Sequence, residues 1–207
     1  MSKSFARGMR AFTLIELLIV VAIIAILAAI AVPNVLEAQT RAKVARAKAD
    51  MRSLATALES YAVDHNHYPW PGDDAGVTLP SSGGVEFFET KLPTTITTPI
   101  AYITSRPSEP FKNKNETEEK PQYHYASREY LFKTNAGDVT ELDDLADEMI
   151  HQKGTVRYYL LSHGPDLDHD SPDLTENPLG PALYDPTNGT VSSGDIFYWG
   201  SGIGFKN

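Results

Sequence analysis

The residues Arg10-Ala11-Phe12-Thr13-Leu14-Ile15-Glu16 run directly into an apolar block over 17–32, and this stretch decides the fold. As a helix, residues 12–32 would be about 32 Å long at about 1.5 Å per residue, which matches the roughly 30 Å hydrocarbon core of a bilayer. A secretory signal peptide has a shorter apolar core of about 7–15 residues, with its cleavage site beyond that core. The sequence therefore predicts a membrane-spanning helix.

Glu16 is the residue that an ordinary signal anchor does not explain. A carboxylate at the centre of a span costs about 2.5 kcal/mol or more on insertion scales, and such a residue usually has a partner. If the chain is cut before Phe12, the new amino group lies one helical turn from Glu16, and the same group on a neighbouring subunit could neutralise the carboxylate. Glu16 is therefore predicted to act in assembly. A plain signal anchor and an anchored binding module that never polymerises are the alternatives, and both leave Glu16 without a partner.

The sequence Phe-Thr-Leu-Ile-Glu before an apolar block resembles the class III signal of type IV pilins and of the pseudopilins of type II secretion. In that family the prepilin peptidase, a membrane aspartyl peptidase, cuts before the phenylalanine on the cytoplasmic side and N-methylates it. The resemblance implies a cut between Ala11 and Phe12. The family usually has glycine at the position of Ala11, and it has a proline near the end of the span, where Pro33 stands. The charge count does not support this orientation, because three basic residues precede the span and five follow within about 20 residues of it.

Composition narrows the classes of protein that remain. The 207 residues are 42% hydrophobic and allow one sizeable domain with an appended segment. The net charge of -9, with acids dominating beyond Pro71, argues against nucleic-acid binding, which needs gathered positive charge. There is no cysteine, so disulfides, thiolate zinc sites and cysteine nucleophiles are excluded.

The stretch from 34 to about 63 is alanine-rich and contains neither glycine nor proline. Its apolar residues recur at spacings of 3, 4 and 7, which predicts that the membrane helix continues into solvent, with a possible kink at Pro33. A coiled coil is the alternative, but the stretch is too rich in alanine to require it. The expected apolar stripe consists of Leu36, Val44, Met51, Leu54, Leu58 and Tyr61.

The helix is expected to end before Tyr68-Pro69, because proline disfavours helix at the residue before it. The pattern Tyr-x-x-Asp-x-x-x-Tyr-Pro, which starts at Tyr61, resembles the helix exit of the major pseudopilins. His65 and His67 lie in this exit. We expect them to face solvent, because no third metal ligand is near them in sequence.

The remainder predicts a long loop over 72–120 with one short helix, followed by a small antiparallel sheet. Strands are expected at 123–132, 155–161 and 195–199, and a helix is expected at 140–152. The fold class is therefore α+β and pilin-like: a long N-terminal α-helix, membrane-spanning in its first half, packs on a small antiparallel β-sheet head. The predicted segments are a cleaved leader (1–11), a transmembrane assembly helix (12–33), the soluble half of that helix (34–68) and the head (69–207).

Asp166, Asp168 and Asp170 occupy alternate positions in a turn-prone loop and could direct oxygen atoms at one calcium ion. An EF-hand is excluded, because its sixth position would be Ser171 and its twelfth Asn177. A solvated acidic loop is the alternative.

The family resemblance extends to this loop. Major pseudopilins have a calcium site between an upstream Ser-x-Gly-x-Asp, like 162–166 here, and a downstream Asp-Ile, like 195–196 here. The resemblance implies calcium as cofactor. The implied ligands are Asp166, Asp168, Asp170 and Asp195.

Ser162, His163 and Asp166 are close in sequence, but a catalytic triad is recognised by geometry, and the three could equally be loop caps. No nucleophile elbow, phosphate loop or zinc helix is present, so we expect no enzyme.

The resemblance implies a major-type pseudopilin, a subunit of a periplasmic filament that drives type II protein secretion. Its partners would be copies of itself, the prepilin peptidase, the minor pseudopilins and the inner-membrane assembly platform. The chain would cross the inner membrane once, with its head in the periplasm. The alternative is a surface type IV pilin for adhesion, motility or DNA uptake, which often has a C-terminal disulfide that this chain cannot form.

Overall fold

The computed structural model describes residues 12–72, 91–111, 122–134, 143, 154–167, 183–185, 187, 192, 194–200 and 204–205. Two helices and four strands lie in these ranges: α1 (Leu14–His65), β1 (His124–Ser127), α2 (Arg128–Thr134), β2 (Tyr158–Ser162), β3 (Ile196–Trp199) and β4 (Gly204–Phe205). The chain divides by contacts into two units, Met1–Gln39 and Thr40–Asn207. The α+β class is confirmed, while the four segments predicted from the sequence stay a prediction.

Helix α1 is the single long helix that the sequence predicted. Pro33 lies inside it without ending it. By length and composition, α1 contains a segment that can cross a membrane, and the side chains of that segment are not buried within the chain. The helix ends at His65, and Asn66 follows in the left-handed conformation, with φ 59°, as is common for the residue that stops a helix.

In the second unit, α1 buries a stripe of side chains at spacings of three and four residues. These side chains form one hydrophobic cluster with residues from the loop over 92–111 and from strands β1, β2 and β3. The predicted stripe is therefore confirmed from Val44 onward. Leu36 is not part of this cluster, and its side chain is 55% exposed. Leu36 shares the helical spacing of the stripe, but it lies in the apolar first unit.

The sheet is antiparallel in the order β1-β2-β3-β4. Leu160 of β2 stands opposite Tyr125 of β1 on one side and Tyr198 of β3 on the other. All five residues of β2 are buried. Both faces of β2 are therefore covered, which explains why the run Tyr-Tyr-Leu-Leu does not alternate between apolar and polar residues.

One predicted strand was half wrong. The expected strand over 123–132 stops at Ser127, and α2 starts at Arg128. The Ser127 hydroxyl accepts a hydrogen bond from the Tyr130 backbone N–H (3.4 Å), so Ser127 caps the helix. The aromatic composition that favoured a strand is outweighed by this cap and by the helix-forming residues Arg128 and Glu129.

The remaining predicted helices and strands agree with the structure to different degrees. The one short helix expected in the loop over 72–120 is a 3-10 turn at Thr94–Ile96. The predicted strands over 155–161 and 195–199 correspond to β2 and β3, whereas β4 was not predicted. The helix expected at 140–152 lies outside the described residues except at Asp143, which is helical.

Candidate functional site

The start of α1 places Glu16 within reach of the residue that precedes the helix. Thr13 is the N-cap, and its hydroxyl accepts a hydrogen bond from the Glu16 N–H (3.3 Å). Glu16 Oε2 in turn accepts hydrogen bonds from the Thr13 N–H (2.9 Å) and the Thr13 hydroxyl (2.7 Å). This reciprocal pair is a capping box, which satisfies backbone N–H groups that no preceding helical turn can reach.

The capping box bears directly on the predicted processing site. It holds the Glu16 carboxylate beside the backbone of Thr13, the residue that follows Phe12. Phe12 itself is 82% exposed, and Ala11 lies outside the described residues. Glu16 was predicted to have an intersubunit partner only, and this local partner was missed. The spacing Thr13-x-x-Glu16 before an apolar run was the signal that could have revealed it.

Pro33, the second predicted assembly residue, is accommodated within α1. Its ring nitrogen carries no hydrogen, so one backbone carbonyl of the preceding turn loses its helical donor. The site lies in the exposed apolar segment, as the sequence predicted for the end of the span.

Two of the four predicted calcium ligands come from chain segments that lie side by side. Gly164 packs so closely on Gly194 that a Cβ atom at Gly164 would be 2.4 Å from the Gly194 carbonyl oxygen. Asp195 follows Gly194 and is fully buried, and its carbonyl accepts a hydrogen bond from Tyr184 N (2.9 Å). Asp166, two residues after Gly164, is partly buried.

Asp168 and Asp170, the other two predicted ligands, lie outside the described residues. Among the residues that are described, no three histidine, aspartate or glutamate side chains converge in a way that could hold a metal. Calcium binding therefore stays a prediction.

A buried polar cluster centres on Glu109, a residue that no sequence motif marked as functional. Glu109 Oε1 accepts hydrogen bonds from the Ser162 hydroxyl (2.5 Å) and the His163 backbone N–H (2.7 Å), and Oε2 lies 3.1 Å from His163 Nδ1. All three residues are at most 4% exposed. Burial raises the pKa of Glu109, although the hydrogen bonds and charge of His163 and the Ser162 hydroxyl oppose that rise.

This cluster shows that Ser162 and His163 have a structural role and not a catalytic one. The Ser162 hydroxyl donates to a carboxylate, so its proton is not available to an imidazole base, and burial keeps substrates away. The arrangement fits the loop-capping alternative and not a hydrolase triad. Glu109 fixes the backbone where the chain leaves β2 and enters the acidic loop.

Comparison with known proteins agrees with the N-terminal features. Residues 6–32 match the family model of the prokaryotic N-terminal methylation motif, and residues 34–127 match that of the type II secretion system (T2SS), protein G. No solved structure is detectably similar to the chain.

Three relatives illustrate the similarity. Over 63 residues the chain is 46% identical to the type II secretion system core protein G of Pseudomonas aeruginosa, covering 30% of this chain and 44% of the relative. Over 60 residues it is 40% identical to the core protein G of Escherichia coli, covering 29% and 41%. Over 59 residues it is 52% identical to the type IV major pilin protein PilA of Myxococcus xanthus, covering 28% and 27%.

The chain thus spans less than half the length of each of these relatives. The two family matches nevertheless cover all of 6–127 except Pro33, and they include the capping box and the buried stripe of α1. Over residues 6–127 the chain is therefore similar to the type II secretion protein G proteins and to type IV pilins.

Proposed function

We propose that this chain is a structural, non-catalytic subunit of a periplasmic pseudopilus in type II protein secretion. It is cut before Phe12, N-methylated there, and polymerised through the first half of α1. The observation that carries the proposal is the Thr13–Glu16 capping box, which holds an acidic side chain at the start of an exposed apolar helix, directly after the expected cut. The match to the N-terminal methylation motif supports it.

Physical chemistry requires the apolar segment to be covered. Its large side chains from Leu14 to Leu36 are all exposed, from 47% at Val20 to 88% at Leu14. Lipid covers them in the bilayer, and copies of the same helix cover them in a filament. In either setting the Glu16 carboxylate is poorly solvated, and a charge-assisted bond from a neighbour's Phe12 amino group would offset that cost.

The same reasoning gives the partners and the location. The subunit would bind copies of itself, the prepilin peptidase, the minor pseudopilins and the inner-membrane assembly platform. It would cross the inner membrane once, with its head in the periplasm. The exposed apolar helix and the protein G match support these assignments.

Replacing Glu16 with alanine tests the assembly role. In cells that express the secretion machinery, we expect Glu16→Ala to abolish filaments seen by electron microscopy while the head keeps its melting temperature. Glu37→Ala, a matched change beyond the span in the same helix, should leave assembly intact. Unaltered Glu16→Ala filaments would contradict the proposal.

Intact-mass spectrometry of the membrane-bound protein tests processing. We expect residues 1–11 to be absent and Phe12 to carry one methyl group. Ala11→Gly restores the residue usual in the family and should be cut at least as fast. A wild-type protein that retains residues 1–11 would contradict the pseudopilin assignment.

A surface type IV pilus is the second candidate, because the chain also resembles the type IV major pilin protein PilA of Myxococcus xanthus over 59 residues. The two functions differ in the location of the filament, which is the cell surface for a pilus and the periplasm for a pseudopilus. Filaments that shear from the surface of cells at native expression would favour the pilus, and a chain found only in the periplasmic fraction would favour the pseudopilus.

We also propose that Asp166, Asp168, Asp170 and Asp195 bind calcium. Carboxylates are the hard oxygen donors that this ion prefers, and the Gly164 contact with Gly194 brings two of their segments together. Calcium there would cross-link a loop region that has no disulfide.

Calcium titration of the full chain in detergent tests this site. At a calcium concentration 100-fold above Kd, we expect stabilisation of about 2.7 kcal/mol, lost in an Asp166→Ala/Asp168→Ala double variant. Asp185→Ala is the control, because the Asp185 side chain is exposed and accepts hydrogen bonds from Thr187. If calcium does not change the melting temperature of the wild-type protein, the proposed site is contradicted.

A further inference from the structure

The end of α1 brings two histidine side chains together. In a continuing helix, residues two apart do not face each other. The left-handed conformation of Asn66 ends the helix between His65 and His67, and the chain turns so that the two imidazole rings have centroids 6.1 Å apart, with an interplanar angle of 62°. Both histidines are exposed.

Backbone carbonyls set the tautomer of both rings. His65 Nδ1 lies 3.1 Å from the Tyr61 carbonyl oxygen, and His67 Nδ1 lies 3.0 Å from the Tyr68 carbonyl oxygen. A carbonyl oxygen only accepts hydrogen bonds, so in each neutral ring Nδ1 carries the proton and Nε2 keeps its lone pair. Metal-binding histidines are held in this way, with the second ring nitrogen donating to a carbonyl or carboxylate.

Aromatic neighbours hold the rings in place. The Tyr61 ring stacks on His65 with centroids 4.0 Å apart and meets His67 edge-on at 5.8 Å. Tyr102 also meets His65 edge-on, at 6.2 Å. Rings that are already ordered lose less side-chain entropy when they bind a ligand.

The ring separation is close to what a shared ion requires. With metal–nitrogen bonds of about 2.0–2.1 Å and the ring radius added on both sides, two imidazoles on one tetrahedral zinc ion have centroids about 5 Å apart, so binding would bring the rings about 1 Å closer than the observed 6.1 Å. No third histidine, aspartate or glutamate converges on them among the described residues, so water would fill the remaining positions. Imidazole ligands suit zinc, copper and nickel, whereas calcium requires oxygen.

We propose that His65 and His67 form a two-imidazole chelate for a divalent transition-metal ion, preorganised by the Asn66 turn and by the two carbonyl contacts. This site is separate from the acidic loop and does not depend on the proposed pseudopilus function. A bound ion would tie the last turn of α1 to the segment that follows it.

Titrating the full chain in detergent with Zn²⁺ by calorimetry and with Cu²⁺ by electron paramagnetic resonance tests the proposal. We expect His65→Gln and His67→Gln each to weaken binding by about tenfold or more, and each to remove one of two imidazole nitrogens from the copper spectrum. His169→Gln, in the acidic loop, is the matched control and should leave this binding step unchanged.

Two results would overturn the chelate. One is an affinity that neither His65→Gln nor His67→Gln changes. The other is equally tight binding by a synthetic peptide of residues 61–71, which would show that the folded turn adds nothing to a flexible His-x-His sequence.

Discussion

At the residue scale, Gly164 fixes the exit from β2 in two separable ways. Its φ of 71° is strained for any residue with a side chain, and a Cβ atom would lie 2.4 Å from the Gly194 carbonyl oxygen. Gly154 offers a matched control, because its φ is 77° but a Cβ there would meet nothing within 4 Å. Comparing alanine at the two positions therefore separates backbone strain from the close contact.

We expect Gly154→Ala to cost about 1–2 kcal/mol for the left-handed conformation alone. Gly164→Ala should cost a further 1–3 kcal/mol, roughly the penalty of overpacking, because the neighbouring backbone must move. Urea unfolding of the detergent-solubilised chain, followed by tryptophan fluorescence, measures both. Equal losses would show that the contact with Gly194 relaxes without penalty.

The same scale shows what the sequence could and could not predict about the candidate sites. The Thr13–Glu16 pair spans three residues, so its spacing was visible in the sequence. Glu109 is hydrogen-bonded to Ser162 and His163, which lie 53 and 54 residues away in sequence. No local sequence pattern can predict such a contact. To predict these contacts, one would need to know how the loop over 91–111 packs on the end of β2.

At the element scale, α1 contains two burial patterns in one helix. Its large apolar side chains are exposed through Leu36, and the buried stripe begins at Val44. Hydrophobic periodicity predicted the whole helix correctly, because both patterns use good helix formers. It could not show that Leu36 is exposed, because spacing shows which residues share a face, and only tertiary structure shows whether that face is covered.

Leu54 and Val63 test this division within one helix. The Leu54 side chain is fully buried and the Val63 side chain is 83% exposed. We expect Leu54→Ala to cost about 2–5 kcal/mol, through lost burial and the remaining cavity. Val63→Ala should change stability by no more than about 0.5 kcal/mol. Urea unfolding measures both, and a comparable loss at Val63 would mean that this face is covered.

At the scale of the whole molecule, the second unit is built around tyrosine. Burial is the main cause that raises the pKa of several phenols, and nearby carboxylates add to it at Tyr123 and Tyr158. The affected residues in the core and at its edge are Tyr123, Tyr130, Tyr158, Tyr184 and Tyr198. The ionised phenol is therefore disfavoured in the folded state.

This arrangement predicts alkaline unfolding. A folded pKa above the unfolded value of about 10 contributes stability that is fully present below about pH 10 and is lost as pH rises through the folded pKa.

Lysines titrate in the same range, so the tyrosine contribution must be isolated. Tyr158→Phe removes one phenol of raised pKa, and its free energy of unfolding should fall less steeply than that of wild type between about pH 9 and 12. The tyrosine ionisation signal that Tyr158→Phe loses in absorbance should be one that accompanies unfolding. Parallel pH profiles for the two proteins would contradict a tyrosine-linked unfolding.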